Sequence, residues 1–110
     1  IADMRALYIY NHGVKSGILT EDVVGKGYRF SYDRDYVADG QYGAISKTLP
    51  LSESEYYSDT LFSFFANLLP EGMNRSVVCR INKIDENDDF GLLCAFSDVD
   101  FIGSVTVRKI

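Results

Sequence analysis

Residues 61–72 read LFSFFANLLPEG, an almost uncharged run of aromatic residues and leucines that ends in Pro-Glu-Gly. The apolar residues recur at the i, i+3, i+4, i+7 and i+8 spacing of a wide helical stripe, which predicts a helix buried on one side and ended by Pro70. That stripe consists of Leu61, Phe64, Phe65, Leu68 and Leu69. Phe62 lies off the stripe, so the run is more apolar than one buried face requires. The surplus fits either additional core packing or a surface that contacts a partner.

Polar residues before this run and the proline after it set the bounds of two predicted helices. Ser54 and Ser58 are the candidate N-caps of the first helix. Pro70 suits the first position of a second helix, where Glu71 favours the helix dipole, so the two helices are expected to meet at a rigid corner. The predicted apolar stripe of the second helix consists of Met73, Val77, Val78 and Ile81.

Two further helical segments are predicted on either side of this pair. Residues 33–38 form a short capped turn of helix. A third full helix begins at Asp88 or Asp89, with Phe90, Leu93 and Cys94 facing inward. The acidic run before it is interpreted as a solvated loop whose carboxylates complement the positive end of the helix dipole.

Alternation of apolar and polar residues predicts strands in the remainder of the chain. The predicted strands cover residues 5–10, a segment from Ser16, and residues 28–32, 45–51 and 101–110. Gly-containing turns separate the first three, and the last strand is expected to rejoin the N-terminal sheet. Pro50 ends the fourth strand or places it at a sheet edge.

Length and composition favour one domain over residues 1–110, with residues 1–3 expected to be a frayed terminus or extraneous residues before Met4. Cys79 and Cys94 lie in apolar helical patterns and are expected to be reduced and buried. The sequence shows no charged leader with a cleavage site and no apolar run of the roughly 18 residues that would span a bilayer. These patterns predict a cytoplasmic protein that does not bind membranes.

A net charge of −5 disfavours direct binding to nucleic acid, because such binding depends on neutralising phosphates with a basic face. The alternative for the acidic run, a docking surface for a basic partner, stays open. Tyrosine and phenylalanine are abundant, but stacking platforms for bases work beside basic grooves. Core packing and protein contacts therefore explain the aromatic residues better.

Candidate catalytic residues are sparse. His12, the single histidine, lies in a predicted tight turn with no partner in the sequence. Gly25-Lys26-Gly27 lacks the further glycines and the Lys-Ser/Thr step of a phosphate loop. Asp98 and Asp100 stand without other oxygen ligands at a calcium-binding spacing. We expect no enzymatic activity, no cofactor, no metal and no small-molecule substrate.

The order of these motifs resembles the N-terminal subdomain of HipA-type toxin kinases. The resemblance spans nearly the whole chain, and its most specific part is the FFxNLLPEG block at residues 64–72. Supporting matches are YxFxYD at 28–33, ISxTLPL at 45–51, DFxLL at 89–93 and GSV at 103–105. The turn at residues 98–103 departs from the glycine-rich turn of the family pattern.

The resemblance implies an α+β fold. The expected architecture is a small, curved, barrel-like antiparallel sheet of about five strands with about three helices packed on one side. In full-length kinases of this family, the subdomain precedes a longer region that binds ATP and phosphorylates a protein of translation. A kinase needs a phosphate-binding lysine, a catalytic aspartate and metal ligands assembled from two lobes, which this domain is not expected to supply.

The family also includes three-gene systems in which the subdomain is a separate HipS-like protein that binds and restrains the companion kinase HipT. By resemblance, this chain is expected to be a non-catalytic toxin–antitoxin subunit that binds and modulates or neutralises a HipA/HipT-type serine/threonine kinase. The alternative is a structural subdomain that docks the kinase lobe or a HipB-like helix-turn-helix repressor without inhibition. The partner-binding residues that the resemblance implies are Phe62, Phe64, Phe65, Asn67, Leu69, Pro70 and Glu71.

Overall fold

The structure is a computed structural model. It describes residues 5–23, 26–67, 69, 72–85, 87–95 and 105–109. The elements within them are β1 (Arg5–Asn11), β2 (Val14–Val23), β3 (Lys26–Tyr32), α1 (Arg34–Asp39), β4 (Tyr56–Ser58), α2 (Ser63–Ala66), α3 (Gly72–Asn82), α4 (Asp89–Ala95) and β5 (Val105–Lys109).

The strands form one antiparallel sheet in the order β4-β3-β2-β1-β5. As predicted, the strand near the C-terminal end rejoins the N-terminal sheet, pairing Asn11 with Val105 and Leu7 with Lys109. The α+β class and the five-stranded antiparallel sheet are confirmed. The sheet is open, with β4 and β5 at its two edges, so it is not closed into a barrel.

The core lies between the inward face of the sheet and the helices. Alternation along β3 turns Tyr28, Phe30 and Tyr32 to the same face, and all three are buried. Each of these rings meets the ring of a different helix, with contacts between Tyr28 and Phe90 of α4, Phe30 and Phe65 of α2, and Tyr32 and Tyr36 of α1. One strand therefore positions three helices along its length.

The predicted strand over residues 45–51 is wrong. That segment contains only an isolated bridge between Ser46 and Leu49, although Ile45 and Leu49 are buried. The hydroxyl of Tyr32 accepts a hydrogen bond from the amide of Ile45 at 3.1 Å and donates one to the carbonyl of Leu49. Because one buried hydroxyl bonds both backbone groups, the segment can bury its apolar residues without a neighbouring strand.

The long helix predicted after Ser54 or Ser58 is also wrong in extent. Residues 56–58 form strand β4, which pairs with residues 28–30. The helix that follows, α2, has only four residues, and Phe62 rather than a serine is its N-cap. The strand forms because three residues of the polar segment pair with the free edge of β3. The helical spacing of the residues that follow gives no sign of this pairing.

The second helix is confirmed at Gly72–Asn82, and Val78 of its predicted apolar stripe packs against the core, but the stripe is wrong for Val77 and Ile81. Val77 and Ile81 are 46% and 73% exposed, whereas Cys79 is buried and Val78 packs against the core. The side chain of Met73 lies outside the described part of the chain. The helix is thus rotated so that its most apolar stripe faces partly outward.

The short helix after Asp33 and the third predicted full helix agree with the structure. α1 follows Asp33, and α4 begins at Asp89 with Phe90 and Leu93 fully buried. Cys79 and Cys94 are not joined by a disulfide; Cys79 is buried and Cys94 is only partly so. No helix in the described residues is long and apolar enough to cross a membrane. The turn at residues 98–103 lies outside the described residues.

Gly17 should be sensitive to substitution because β2 and β3 approach each other closely there. It pairs with Tyr32, and a Cβ at this position would collide with the carbonyl oxygen of Ser31 and lie 3.0 Å from the ring of Phe30. We expect Gly17→Ala to lower the free energy of unfolding by about 1–3 kcal/mol or more, because the strands must move apart. Urea denaturation monitored by circular dichroism measures this change.

Gly13→Asn is the control. Gly13 has φ +79° in the turn between β1 and β2, and a Cβ at this position would meet no other atom within 4 Å. Asparagine tolerates this left-handed conformation, so the cost should stay below about 1 kcal/mol. Equal losses in the two variants would contradict the close approach at Gly17.

Candidate partner-binding site

The predicted site is anchored by Phe65, the central residue of α2. Its side chain is fully buried, and its ring centroid lies 5.6 Å from that of Phe30. The helix begins at Phe62, whose carbonyl oxygen accepts hydrogen bonds from the amides of Phe65 and Ala66, both at 3.0 Å. The buried ring therefore fixes a short helix that would be too short to be stable in isolation.

Phe62 and Phe64 flank this anchor and are only partly buried. Their rings meet Phe65 edge to face, with centroids 6.3 Å and 5.2 Å away and interplanar angles of 71° and 79°. Such aromatic pairs contribute about 0.5–1.5 kcal/mol beyond area burial. Both rings therefore keep some exposed surface, while their contacts with Phe65 fix their orientation.

The other predicted site residues differ in placement. Asn67 is exposed at the end of α2. Leu69 is 6% exposed, and its amide donates a hydrogen bond to the carbonyl of Ala66 at 3.2 Å. Pro70 and Glu71 lie outside the described residues. The structure places Phe65 and Leu69 in the core and Phe62, Phe64 and Asn67 at the surface; the partner-binding role of the set stays a prediction.

A polar network at one end of the sheet is absent from the sequence predictions. Arg5 on β1 donates from Nε to the carboxylate of Glu21 on β2 at 2.7 Å. Its two terminal nitrogens donate to the two carboxylate oxygens of Asp88 at 3.1 Å and 2.8 Å. The guanidinium also lies 5.2 Å from the ring centroid of Phe90. One arginine therefore joins two strands to the start of α4.

Burial makes this network important. The side chain of Glu21 is fully buried, and an ionised carboxylate in that position is strongly destabilising unless it is paired. Hydrogen bonds from Arg5 hold the pKa of Asp88 below its usual value, and the amide of Gly91 donates to the same carboxylate at 3.0 Å. The pKa of Arg5 is raised, first by its hydrogen bonds to Asp88. The charged forms of Arg5 and Asp88 are thus favoured.

A cavity of about 410 Å³ opens beside this network. Its lining combines carboxylates with hydroxyl, amide and apolar groups from Tyr28, Thr60, Leu61, Asp85, Asn87, Asp88 and Asp89. Burial, followed by its hydrogen bond to Glu21, raises the pKa of Tyr28 to about 12. The lining groups suit hydrogen-bond donors and cations, and Leu61 connects the cavity to residues 61–69, here called the aromatic segment.

The chemistry-bearing residues singled out in the sequence are not assembled into a reactive centre within the described residues. His12 is exposed in the β1–β2 turn, with its ring stacked 5.9 Å from that of Tyr42. Gly27 has φ +77° at the start of β3, consistent with the predicted hairpin. The described residues contain no group of three His, Cys, Asp or Glu side chains placed to hold a metal ion.

One signal for the missed network is present in the alternation of β2. Leu19 and Glu21 share a strand face, so a buried Leu19 turns the carboxylate inward as well. An inward carboxylate requires a cationic neighbour, and Arg5 stands opposite it in the β1–β2 register. The acidic run is not only a solvated loop, because Asp88 pairs with Arg5. The Asp88 carboxylate also accepts from the amide of Gly91 at the start of α4, as the predicted interaction with the helix dipole requires, and Asp85 and Asn87 are exposed.

Comparisons with known proteins agree on one family. A family model described as "HipA N-terminal domain" matches residues 7–108. A protein of Haemophilus influenzae (strain ATCC 51907 / DSM 11121 / KW20 / Rd), described as uncharacterized, is 33% identical over 106 residues, covering 96% of this chain and 93% of the relative. A solved structure named "N-terminal domain of HipA toxin" has a TM-score of 0.69 and 31% identity, covering 96% of this chain and 93% of that one.

Asp88 should make the stability of the fold depend on acid pH. Because its pKa is lowered in the folded state, its contribution is present above the unfolded pKa of about 3.9 and is lost as the pH falls through the folded value. We expect Asp88→Asn to cost about 1–3 kcal/mol at pH 7 and progressively less below about pH 4. Urea denaturation of both proteins between pH 7 and pH 2.5 measures the gap.

Asp39→Asn serves as the matched control, because Asp39 is exposed at the end of α1. Its effect should stay within about 0.5 kcal/mol across the range. A gap for Asp88→Asn that does not change with pH would show that the carboxylate contributes nothing through its charge.

Proposed function

Because this chain belongs to the HipA N-terminal domain family, we propose that it is a non-catalytic subunit of a toxin–antitoxin system that binds a HipA-type serine/threonine kinase and modulates or neutralises it. The observation that carries the proposal is the likeness, over almost the whole of both chains, to the N-terminal domain of a HipA toxin. That domain is one part of a larger toxin. A separate protein with the same fold can therefore bind a toxin kinase at the place where the N-terminal domain would lie.

The aromatic segment offers a suitable contact surface. Phe62 and Phe64 expose part of their rings, and aromatic side chains are enriched among the residues that dominate protein interfaces. Phe65 already holds both rings edge to face, so little side-chain freedom remains to be lost on binding. Asn67 adds an exposed amide at the end of the same helix. We assign these three residues to direct contact and assign Phe65 and Leu69 to support of the surface.

The acidic residues around the cavity support a protein partner rather than nucleic acid. Asp85, Asp88 and Asp89 border the cavity next to Leu61. Together with Glu21 they outnumber Arg5 and Arg75, which pair with them, so this side of the domain keeps a negative charge. Phosphate groups would be repelled there. No direct nucleic-acid contact is therefore proposed, and any association with DNA would pass through a HipB-like repressor. The domain is proposed to act in the cytoplasm, where such kinases act.

Binding to the HipA-type kinase that the proposal expects to be encoded beside this chain's gene tests the proposal. We expect a stable complex at micromolar concentrations by isothermal titration calorimetry, together with reduced kinase autophosphorylation. Phe64→Ala should weaken binding by about tenfold or more, as expected for an interface hot spot, with a smaller effect on thermal stability. Glu71→Ala is expected to behave in the same way.

Two controls separate binding from folding. Phe65→Ala removes the buried anchor and should cost about 3–5 kcal/mol of stability. Tyr57→Ala removes an exposed aromatic ring from β4 and should leave binding unchanged. Absence of a complex would refute the proposal. Binding with unaltered kinase activity would favour the alternative, a structural subunit that docks the kinase or a repressor without inhibiting.

A further inference from the structure

The outer face of α3 carries two large apolar side chains one helical turn apart. Val77 is 46% exposed and Ile81 is 73% exposed, and in the described part of the chain only Tyr57 joins them as a large, strongly exposed hydrophobic residue. The inner face of the helix already packs through Val78 and Cys79. The exposure of Val77 and Ile81 therefore does not arise from a helix that fails to dock.

Cations accompany these apolar side chains. Arg80 follows Val77 by three residues, so it borders the stripe formed by Val77 and Ile81, and Lys83 follows directly after the helix. Both are exposed, and neither forms an ion pair within the residues that the structure describes. In a protein with a net charge of −5, this face is a local site of positive charge with an apolar centre. The complementary surface is apolar with carboxylates at its border.

A second copy of the chain does not fit this description. Two α3 helices packed antiparallel across a two-fold axis between Val77 and Ile81 would place the two Arg80 side chains about 3 Å apart along the helix axis, given a rise of 1.5 Å per residue. With the helix axes about 8–10 Å apart, the two guanidinium groups would face each other across the contact, and like charges beside buried apolar groups disfavour it. Charge therefore favours an acidic partner over self-association.

We propose that Val77, Arg80, Ile81 and Lys83, here called the α3 face, form a second docking surface, which binds an apolar patch bordered by carboxylates on the partner kinase. This inference rests on the proposed function for the identity of the partner. Its geometry is independent of the aromatic segment. Val77 and Ile81 supply the apolar contact, and the two cations set the orientation and reject partners without acidic groups.

Substitutions on the α3 face separate the two kinds of contact. We expect Ile81→Ser to weaken kinase binding by about tenfold or more, with no loss of thermal stability, because the side chain is largely exposed. The double variant Arg80→Glu/Lys83→Glu should also weaken binding by about tenfold in low salt. Near 0.5 M NaCl the loss should be much smaller, because salt then screens charges over about 4–5 Å. Calorimetric titrations of the neighbouring kinase at both salt concentrations measure these effects.

Matched controls change similar side chains elsewhere. Tyr57→Ser alters an exposed apolar residue on β4, and Arg34→Glu/Lys47→Glu reverses two exposed cations outside the α3 face. Both should bind like the wild-type chain. If the wild-type chain binds the kinase and the α3 variants bind equally well, the docking surface is refuted while the proposed function stands.

Two other results would also decide the question. If the wild-type chain fails to bind the kinase at all, the proposed function fails and the α3 inference fails with it. If analytical ultracentrifugation shows that the wild-type chain dimerises and that Ile81→Ser abolishes the dimer, the occupant of the α3 face is a second copy, which overturns the assignment to an acidic partner.

Discussion

The fold depends on the arginine that neutralises a carboxylate buried inside it. Glu21 is fully enclosed, and removal of Arg5 would leave this buried carboxylate without a neighbouring cation, which typically costs about 3–5 kcal/mol. Arg5 serves Glu21 and Asp88 at once, so the same side chain fixes the pairing of β1 with β2 and the position of α4 against them. Phe90 then enters the core directly beneath the guanidinium.

Tyrosine hydroxyls perform a related task at the other end of β3. Tyr32 bonds the backbone at Ile45 and Leu49, and Tyr36 donates to the carbonyl of Gly43 at 2.7 Å while accepting from Asn11 at 2.9 Å. Buried backbone groups need partners, and these hydroxyls provide them where no strand does. The abundance of aromatic residues is thus partly structural, because tyrosine can fill the core and tie down an irregular segment at the same time.

The sequence predicts the elements whose signals are local. Alternation identifies β1, β3 and β5, and cap residues identify α1 and α4. Strand β4 is missed because three polar and aromatic residues become a strand only through pairing with residues 28–30. The spacing of residues 61–69 is helical, yet the helix starts only after Phe62, which is its N-cap. The ring of Phe62 packs against Phe65, and Phe65 in turn packs against the buried ring of Phe30. The periodicity of apolar residues predicts which of them share a helix face, but not which core residues that face packs against.

The sequence likewise predicts where the candidate site lies, but not which of its residues are buried. The resemblance identifies the aromatic segment, but only burial distinguishes Phe65, which supports the surface, from Phe62 and Phe64, which retain exposed area. The rotation of α3 is hidden for a different reason. Val77 and Ile81 are as hydrophobic as core residues, yet the side chain that the helix buries is that of the weakly polar Cys79, a member of the core cluster.

The acidic run before α4 links these features. Asp88 binds Arg5 of the sheet, and its neighbour Asp89 binds Arg75 of α3. Two adjacent carboxylates therefore connect the sheet, α3 and α4 at one point, so much of the negative charge near the cavity is already committed within the domain. The proposed α3 face is consequently held in place by an ion pair on the same helix. A helix fixed in this way can present Val77 and Ile81 to a partner without a large loss of conformational freedom on binding.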